Sequence, residues 1–211
     1  MHALRTLLPP IGVIGIFTAM SLAIQPNTQD IRITSMGSSG SGCPTGSVST
    51  SISPDRNIIT VGFDAFIVYF GPGTSPRDRS KDCALQFNVS QPSGFQFAVV
   101  ETTWHGMAVL EAGMSYRLLA TTYFDDDLSH TASFPISIEG GGAWAAGDVF
   151  TKSASVATGD AIYSPCGAMQ PSLNVGARTA LTTQMVGGAG QLPDDETPVL
   201  TMQLLLHWRN C

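Results

Sequence analysis

The chain has 211 residues, of which 43% are apolar and only 12% are charged, and its formal net charge is -6. The apolar fraction excludes a disordered tail. The acidic balance excludes a general nucleic-acid binder, which needs lysine and arginine to neutralise phosphate. A chain of this length fits one domain with its own core, and its 22 glycines and 13 prolines indicate many turns.

The N-terminus has the pattern of a secretory signal peptide. Arg5 precedes an uncharged apolar stretch over residues 7–24 that contains small residues near its end, as signal peptidase requires. We predict cleavage after Ala23, which makes residues 1–23 the signal peptide. An uncleaved membrane anchor is the alternative, but the stretch is at the lower edge of spanning length and Pro9 and Pro10 interrupt it. We therefore expect a secreted protein, in the medium or the cell wall, without a membrane span in the mature chain.

The mature chain is predicted to begin with a linker and to continue as one domain. Residues 24–42 include the run SMGSSGSG, a composition typical of flexible linkers. The folded domain is expected over residues 43–211. Runs rich in β-branched and aromatic residues, separated by glycine, proline and aspartate, predict its strands. These runs are 45–52, 57–62, 64–70, 83–91, 95–103, 105–111, 115–124, 131–139, 172–184 and 197–208.

The last of these runs shows most clearly what kind of sheet to expect. In VLTMQLLLHW the even positions 200–208 are all apolar, and most odd positions are polar. One buried face and one wet face are typical of an antiparallel sheet, and no long helical pattern is present. The fold class is therefore predicted to be all-β, an antiparallel β-sandwich of about 8–10 strands. A closed barrel is the alternative, because strand count does not separate the two.

Four cysteines are present, Cys43, Cys83, Cys166 and Cys211. An even number in an exported chain favours disulfides. Three pairings are possible, and the division of the chain into an N-terminal and a C-terminal pair favours Cys43–Cys83 and Cys166–Cys211.

Asn88 begins the chain's single N-glycosylation sequon, Asn-Val-Ser. The alternation of apolar and polar residues in CALQFNVSQ places Asn88 on the wet face of its strand. We expect a glycoprotein with its glycan at this position.

An acidic run, Asp125, Asp126 and Asp127, is a candidate calcium site. Carboxylate oxygens are the ligands that a hard cation prefers. The run does not have the spacing of an EF-hand, and an exposed turn explains it equally well. No other cofactor is expected.

Trp144 is the candidate ligand-binding aromatic residue. Strand alternation places Trp104 and Trp208 in the core, whereas Trp144 lies in the glycine-rich loop GGGAWA. An exposed tryptophan in a loop can bind a ligand such as a sugar. The alternative is that Trp144 pins the loop to the sandwich.

Several short motifs between residues 42 and 211 resemble one known family. They are GCP-x-GS, FD-x-F near GPG, GFQF, SPCG and a closing W-x-x-C. Together they are similar to the secreted proteins of fungi and plants grouped as domain of unknown function 4360. The resemblance implies export, an all-β structure and paired cysteines at these four positions. It implies no established activity, so no catalytic or binding residue is carried over.

We therefore predict a secreted, non-catalytic β-sandwich protein that acts at the cell surface, in the wall or in the medium. Cell-wall polysaccharide or a surface protein is its expected partner. A secreted hydrolase is one alternative, with His105 or His130 beside a carboxylate from 125–127 or 194–196. A structural wall or matrix protein without a specific ligand is the other.

Overall fold

A computed structural model describes residues 26–125, 127–183, 190–191 and 200–211, and antiparallel strands make up more than half of these residues. The predicted signal peptide, Asp126 and the acidic run 194–196 lie outside these residues. The strands are β1 Arg32–Ser39, β2 Val48–Ile52, β3 Ile58–Phe63, β4 Tyr69–Phe70, β5 Ser80–Ser90, β6 Phe95–Leu110, β7 Met114–Phe124, β8 Ala132–Glu139, β9 Asp148–Ser155, β10 Ser172–Thr183, β11 Gly190–Gln191 and β12 Leu200–Asn210. Short 3₁₀ turns cover Thr28–Asp30 and Gly142–Ala145.

The strands form two packed sheets, so the predicted antiparallel β-sandwich is confirmed. The first sheet has the order β1-β5-β10-β7-β8. The second has β2-β3-β12-β6, with β9 also paired to β6 and the short β11 and β4 extending it. Alternation of side chains is regular in β8, which reads buried, exposed, buried, exposed along its whole length. No helix in the described ranges is long and apolar enough to cross a membrane.

The core lies between the two sheets and is rich in aromatic rings. Phe63, Phe66 and Trp104 stack on one another, with ring centroids 4.8 to 6.3 Å apart. Phe97 packs against Trp208 at 4.9 Å. Trp104 and Trp208 are both buried, as strand alternation predicted. Rings of this size contribute a large part of the apolar area that stabilises such a core.

The segment predicted to be a linker is in part a strand, which corrects the expected domain boundary. Residues 32–39 form β1 and pair with β5 along its length, and Ile31 is 1% exposed. Two glycines that follow β1, Gly40 and Gly42, serve close packing. A Cβ at Gly40 would overlap the Asp82 carbonyl oxygen, and one at Gly42 would overlap the Phe66 ring. Glycine and serine therefore permit tight contact here, so the folded domain begins before residue 43.

Three other stretches differ from the predicted strands. Residues 95–103 and 105–111 are one continuous strand, β6, and the run 64–70 contributes only the two residues of β4. Strand β9 was not predicted, because most of its side chains are exposed and it has no alternating apolar pattern.

Two disulfides join the pairs that the sequence favoured. Cys43 bonds to Cys83, with Cα atoms 5.5 Å apart, and ties the chain after β1 to strand β5. Cys166 bonds to Cys211, with Cα atoms 5.7 Å apart, and ties the last residue to the loop before β10. No cysteine is free. Both bonds close loops of 40 to 45 residues, which restricts the unfolded chain.

The corrected boundary predicts that Ile31 contributes to the stability of the whole domain. Ile31→Ala should lower the free energy of unfolding by about 2–5 kcal/mol, because it leaves a cavity in the core. Leu128→Ala is the matched control: Leu128 is 69% exposed and its change should cost less than about 0.5 kcal/mol. Urea unfolding of both variants measures the difference. Equal stabilities would mean that the segment before residue 43 does not fold with the domain.

Candidate functional site

A row of small residues crosses the outer face of the five-stranded sheet. Strand pairing places Ser39 opposite Ala84, Ala84 opposite Gly176, Gly176 opposite Thr121 and Thr121 opposite Ser133. All five residues belong to the outward-facing set of their strands. Longer side chains on the neighbouring rows therefore rise above this row, and the sheet surface is indented.

Three neighbouring depressions on this face share lining residues. The first, about 370 Å³, reaches from β1 to Tyr123 on β7. The second, about 270 Å³, shares Ala84 and Gly176 with it. The third, about 490 Å³, shares Leu119 and Arg178 with the second and extends to β8. We call this row of adjoining depressions the sheet groove; it runs diagonally from edge strand β1 to edge strand β8.

Several polar side chains line the sheet groove beside its apolar residues. Gln86 and the half-buried Tyr123 stand on one side, and Arg178 stands on the other. Asn174 lies beside Tyr123, and its Nδ2 donates to the Asp125 carbonyl oxygen at 3.2 Å, which fixes its position. The groove therefore offers amide, hydroxyl and guanidinium groups next to one aromatic ring.

Asn88 lies on the same face, two residues along β5 from Gln86. It is half-buried, and its Nδ2 donates to Ser35 Oγ at 2.8 Å across the β1–β5 pair. The predicted outward orientation agrees with this position. Glycosylation of Asn88 stays a prediction, and a glycan there would stand at one edge of the sheet groove.

A second pocket, of about 530 Å³, lies at one end of the sandwich. Asp125, Asp127 and His130 line it, together with Tyr163 and Arg209. The Arg209 guanidinium stacks on the Tyr163 ring at 3.4 Å from the ring centroid, a cation–π contact. We call this feature the end pocket.

Local contacts occupy the carboxylates of the end pocket. Asp125 has a positive φ of 47°, and its Oδ1 accepts from the Ser172 backbone N–H at 3.2 Å. Asp127 Oδ1 accepts from the Ser129 backbone N–H at 3.0 Å and from the Ser129 hydroxyl. Among the residues that the structure describes, no three His, Cys, Asp or Glu side chains gather as a metal-binding group. The predicted calcium site therefore has no described group of ligands around Asp125 and Asp127.

The alternative hydrolase prediction placed His130 beside a carboxylate, and the structure does bring them together. His130 Nδ1 lies 2.7 Å from Asp127 Oδ2, and the two side chains are 69% and 55% exposed. Ser129 Oγ lies 3.1 Å from the same ring nitrogen. A catalytic relay needs the carboxylate on one nitrogen of the histidine ring and the nucleophile on the other. Here both groups contact Nδ1, so the three residues form a hydrogen-bonded turn and not a relay. His105 instead contacts the Thr151 hydroxyl at 2.9 Å.

Trp144 does not stand free in solvent. It lies in the 3₁₀ turn Gly142–Ala145, is half-buried and packs against the core. This is the arrangement expected of a residue that pins its loop to the sandwich. Only part of the Trp144 ring is therefore accessible to a ligand.

The family model described as domain of unknown function (DUF4360) matches residues 29–211. The chain belongs to this family. A relative from Arthroderma benhamiae named "Uncharacterized secreted protein" is 30% identical over 192 residues, which cover 88% of this chain and 74% of the relative. This DUF4360 protein is likewise a secreted protein.

Two solved structures of carbohydrate-binding modules are similar to the DUF4360 chain at low identity. TmCBM61 in complex with β-1,4-galactotriose is 12% identical, with 85% of this chain and 90% of that one covered and a TM-score of 0.24. A module of the β-sandwich superfamily with promiscuous specificity is 11% identical, with 82% and 56% covered and a TM-score of 0.26. Because these TM-scores are low, neither module's ligand is carried over to this chain.

The hydrogen bonds around Asp127 predict a lowered pKa for this carboxyl group in the DUF4360 protein. The Ser129 hydroxyl, and next the His130 ring, lower the pKa of Asp127 from 3.8 to about 2. Because the pKa is lower in the folded protein, the stabilisation is present above pH 3.8 and is lost as the pH falls towards 2. Ser129→Ala and His130→Ala should each raise this pKa. NMR titration of the carboxyl carbon measures it, with Ser133→Ala as a control that should leave it unchanged; an unchanged pKa in Ser129→Ala would contradict the assignment.

Proposed function

We propose that this DUF4360 protein is a non-catalytic binding protein that holds a polysaccharide of the cell wall or surroundings in the sheet groove. The observation that carries the proposal is the row of three adjoining depressions from β1 to β8, each of which shares lining residues with the next. An extended, narrow ligand fits such a groove better than the rounded surface of a folded partner does. A polymer chain is the simplest ligand of that shape on the outside of a cell.

The side chains along the groove support a sugar ligand. Sugar rings present hydroxyl groups, which both donate and accept, and patches of C–H on their faces. The Gln86 amide can donate and accept at once. The Tyr123 ring supplies an apolar surface with a polar tip. Strands hold both residues, and a site on strands is positioned more rigidly than a site on loops.

Acid–base chemistry in the end pocket is a second candidate, favoured by the contact between Asp127 and His130 at 2.7 Å. It predicts hydrolysis of a polymer that His130→Ala abolishes. The binding proposal predicts instead that His130→Ala leaves binding in the sheet groove unchanged. Release of reducing ends from the bound polymer distinguishes the two.

Co-sedimentation of the mature protein with insoluble chitin, β-glucan and cellulose tests the proposal. We expect saturable binding to at least one polymer. The double change Gln86→Ala with Tyr123→Ala should weaken it by about 10-fold or more, since it removes a hydrogen-bonding amide and a ring. Gln203→Ala is the matched control, because Gln203 is exposed on β12 in the other sheet, and it should bind like the wild type.

The same assay separates the remaining possibilities. Each measurement is repeated with calcium and with chelator, and a loss of binding with chelator would revive Asp125 and Asp127 as a metal site. Removal of any glycan at Asn88 shows whether it restricts access to the groove. Absence of binding to these neutral polymers and to an acidic polysaccharide, with and without glycan, would sink the polysaccharide proposal and favour a structural role.

A further inference from the structure

Two arginines stand together at the β8 end of the sheet groove. Arg117 on β7 pairs with Ala180 on β10, and Arg178 precedes Ala180 by two residues on the same strand. Diagonal neighbours of this kind lie about 7–8 Å apart, within reach of one another's long side chains. Both arginines are exposed, and with Leu119 and Pro135 they line the depression of about 490 Å³. Two positively charged side chains therefore border a partly apolar depression.

The carboxylate near Arg117 is directed elsewhere. Glu139 Oε1 accepts from the Ser137 hydroxyl at 2.6 Å and from the Ser115 hydroxyl at 3.1 Å. These two hydroxyls are the main reason that the pKa of Glu139 lies below its ordinary value, and the charge of Arg117 contributes less. Glu139 is thus held by serines and forms no ion pair with Arg117.

The carboxylate beside Arg178 is held in the same way. Asp82 lies directly opposite Arg178 in the β5–β10 pair, but its Oδ1 accepts from the Ser41 hydroxyl at 2.7 Å. Neither Arg117 nor Arg178 forms an ion pair with a carboxylate in the described part of the chain. The guanidinium groups of Arg117 and Arg178 are therefore available to a ligand.

We propose that Arg117 and Arg178 form a subsite for the carboxylate of an acidic sugar, so that the sheet groove selects a polyuronate over a neutral polymer. The inference rests on the proposed polysaccharide binding and names its ligand class. A planar guanidinium binds a carboxylate through two parallel hydrogen bonds, which a neutral hydroxyl does not reproduce. The whole chain has 16 acidic and 10 basic residues, so general electrostatics opposes a polyanion and the attraction must be local.

Polygalacturonate and its fully methyl-esterified form provide the test, because they share a backbone and differ in charge. The mature protein should bind polygalacturonate at least about 10-fold more tightly than the ester by calorimetry at low salt. Arg117→Gln with Arg178→Gln should equalise the two affinities while binding of the ester is kept, which also shows that the variant is folded. Arg117→Lys with Arg178→Lys keeps the charge but loses the paired hydrogen bonds, and should keep only part of the preference.

Arg77→Gln with Lys152→Gln is the matched control. Both residues are exposed and neither lines the groove, yet the change in net charge is the same, so the preference should persist. Equal affinity of the wild type for both polymers, or a preference that survives in Arg117→Gln with Arg178→Gln, would overturn the subsite. Binding of a neutral polymer without any preference for polygalacturonate overturns this inference alone. Failure to bind every polymer overturns the proposed function with it.

Discussion

Strand β10 lies at the centre of the five-stranded sheet, and its register with β5 and β7 determines both faces of that sheet. On the inner face it aligns Leu173, Val175 and Ala177 with the core; on the outer face it aligns Gly176 with Ala84 and Thr121. A shift of one residue would exchange the two faces. The hydrophobic core therefore holds the register, and the register in turn places the small residues in one row across the sheet. The sheet groove is a consequence of how the core packs.

Much of the sandwich could be read from the sequence, because alternation within a strand is a local property. Alternation predicts that Leu85 and Phe87 lie on the same face of their strand and that Trp104 and Trp208 are buried. β1 could not be read in this way, since glycine and serine suit a flexible segment as well as a close approach to Asp82. The disulfide pairs followed from their order along the chain alone.

The candidate site was much less predictable than the fold. Gln86 and Tyr123 lie on strands far apart in sequence, and only the register of strands that meet through β10 brings them to one groove. A single sequence does not reveal how these strands are aligned with one another. The acidic run and Trp144 attracted attention because they are local signals. The structure explains them by local contacts, a turn stabilised by Ser129 and a ring packed on the core. His130 and Asp127 did meet, since only three positions separate them.

The sheet groove reaches both edge strands, β1 and β8. Five strands spaced about 4.8 Å apart span roughly 20 Å, so a long polymer would extend past the protein on both sides. Recognition would then involve internal segments of the polymer and would not depend on its chain ends. Many copies of the protein could bind side by side along one polymer chain. A modest affinity at each groove would then suffice to coat that polymer chain.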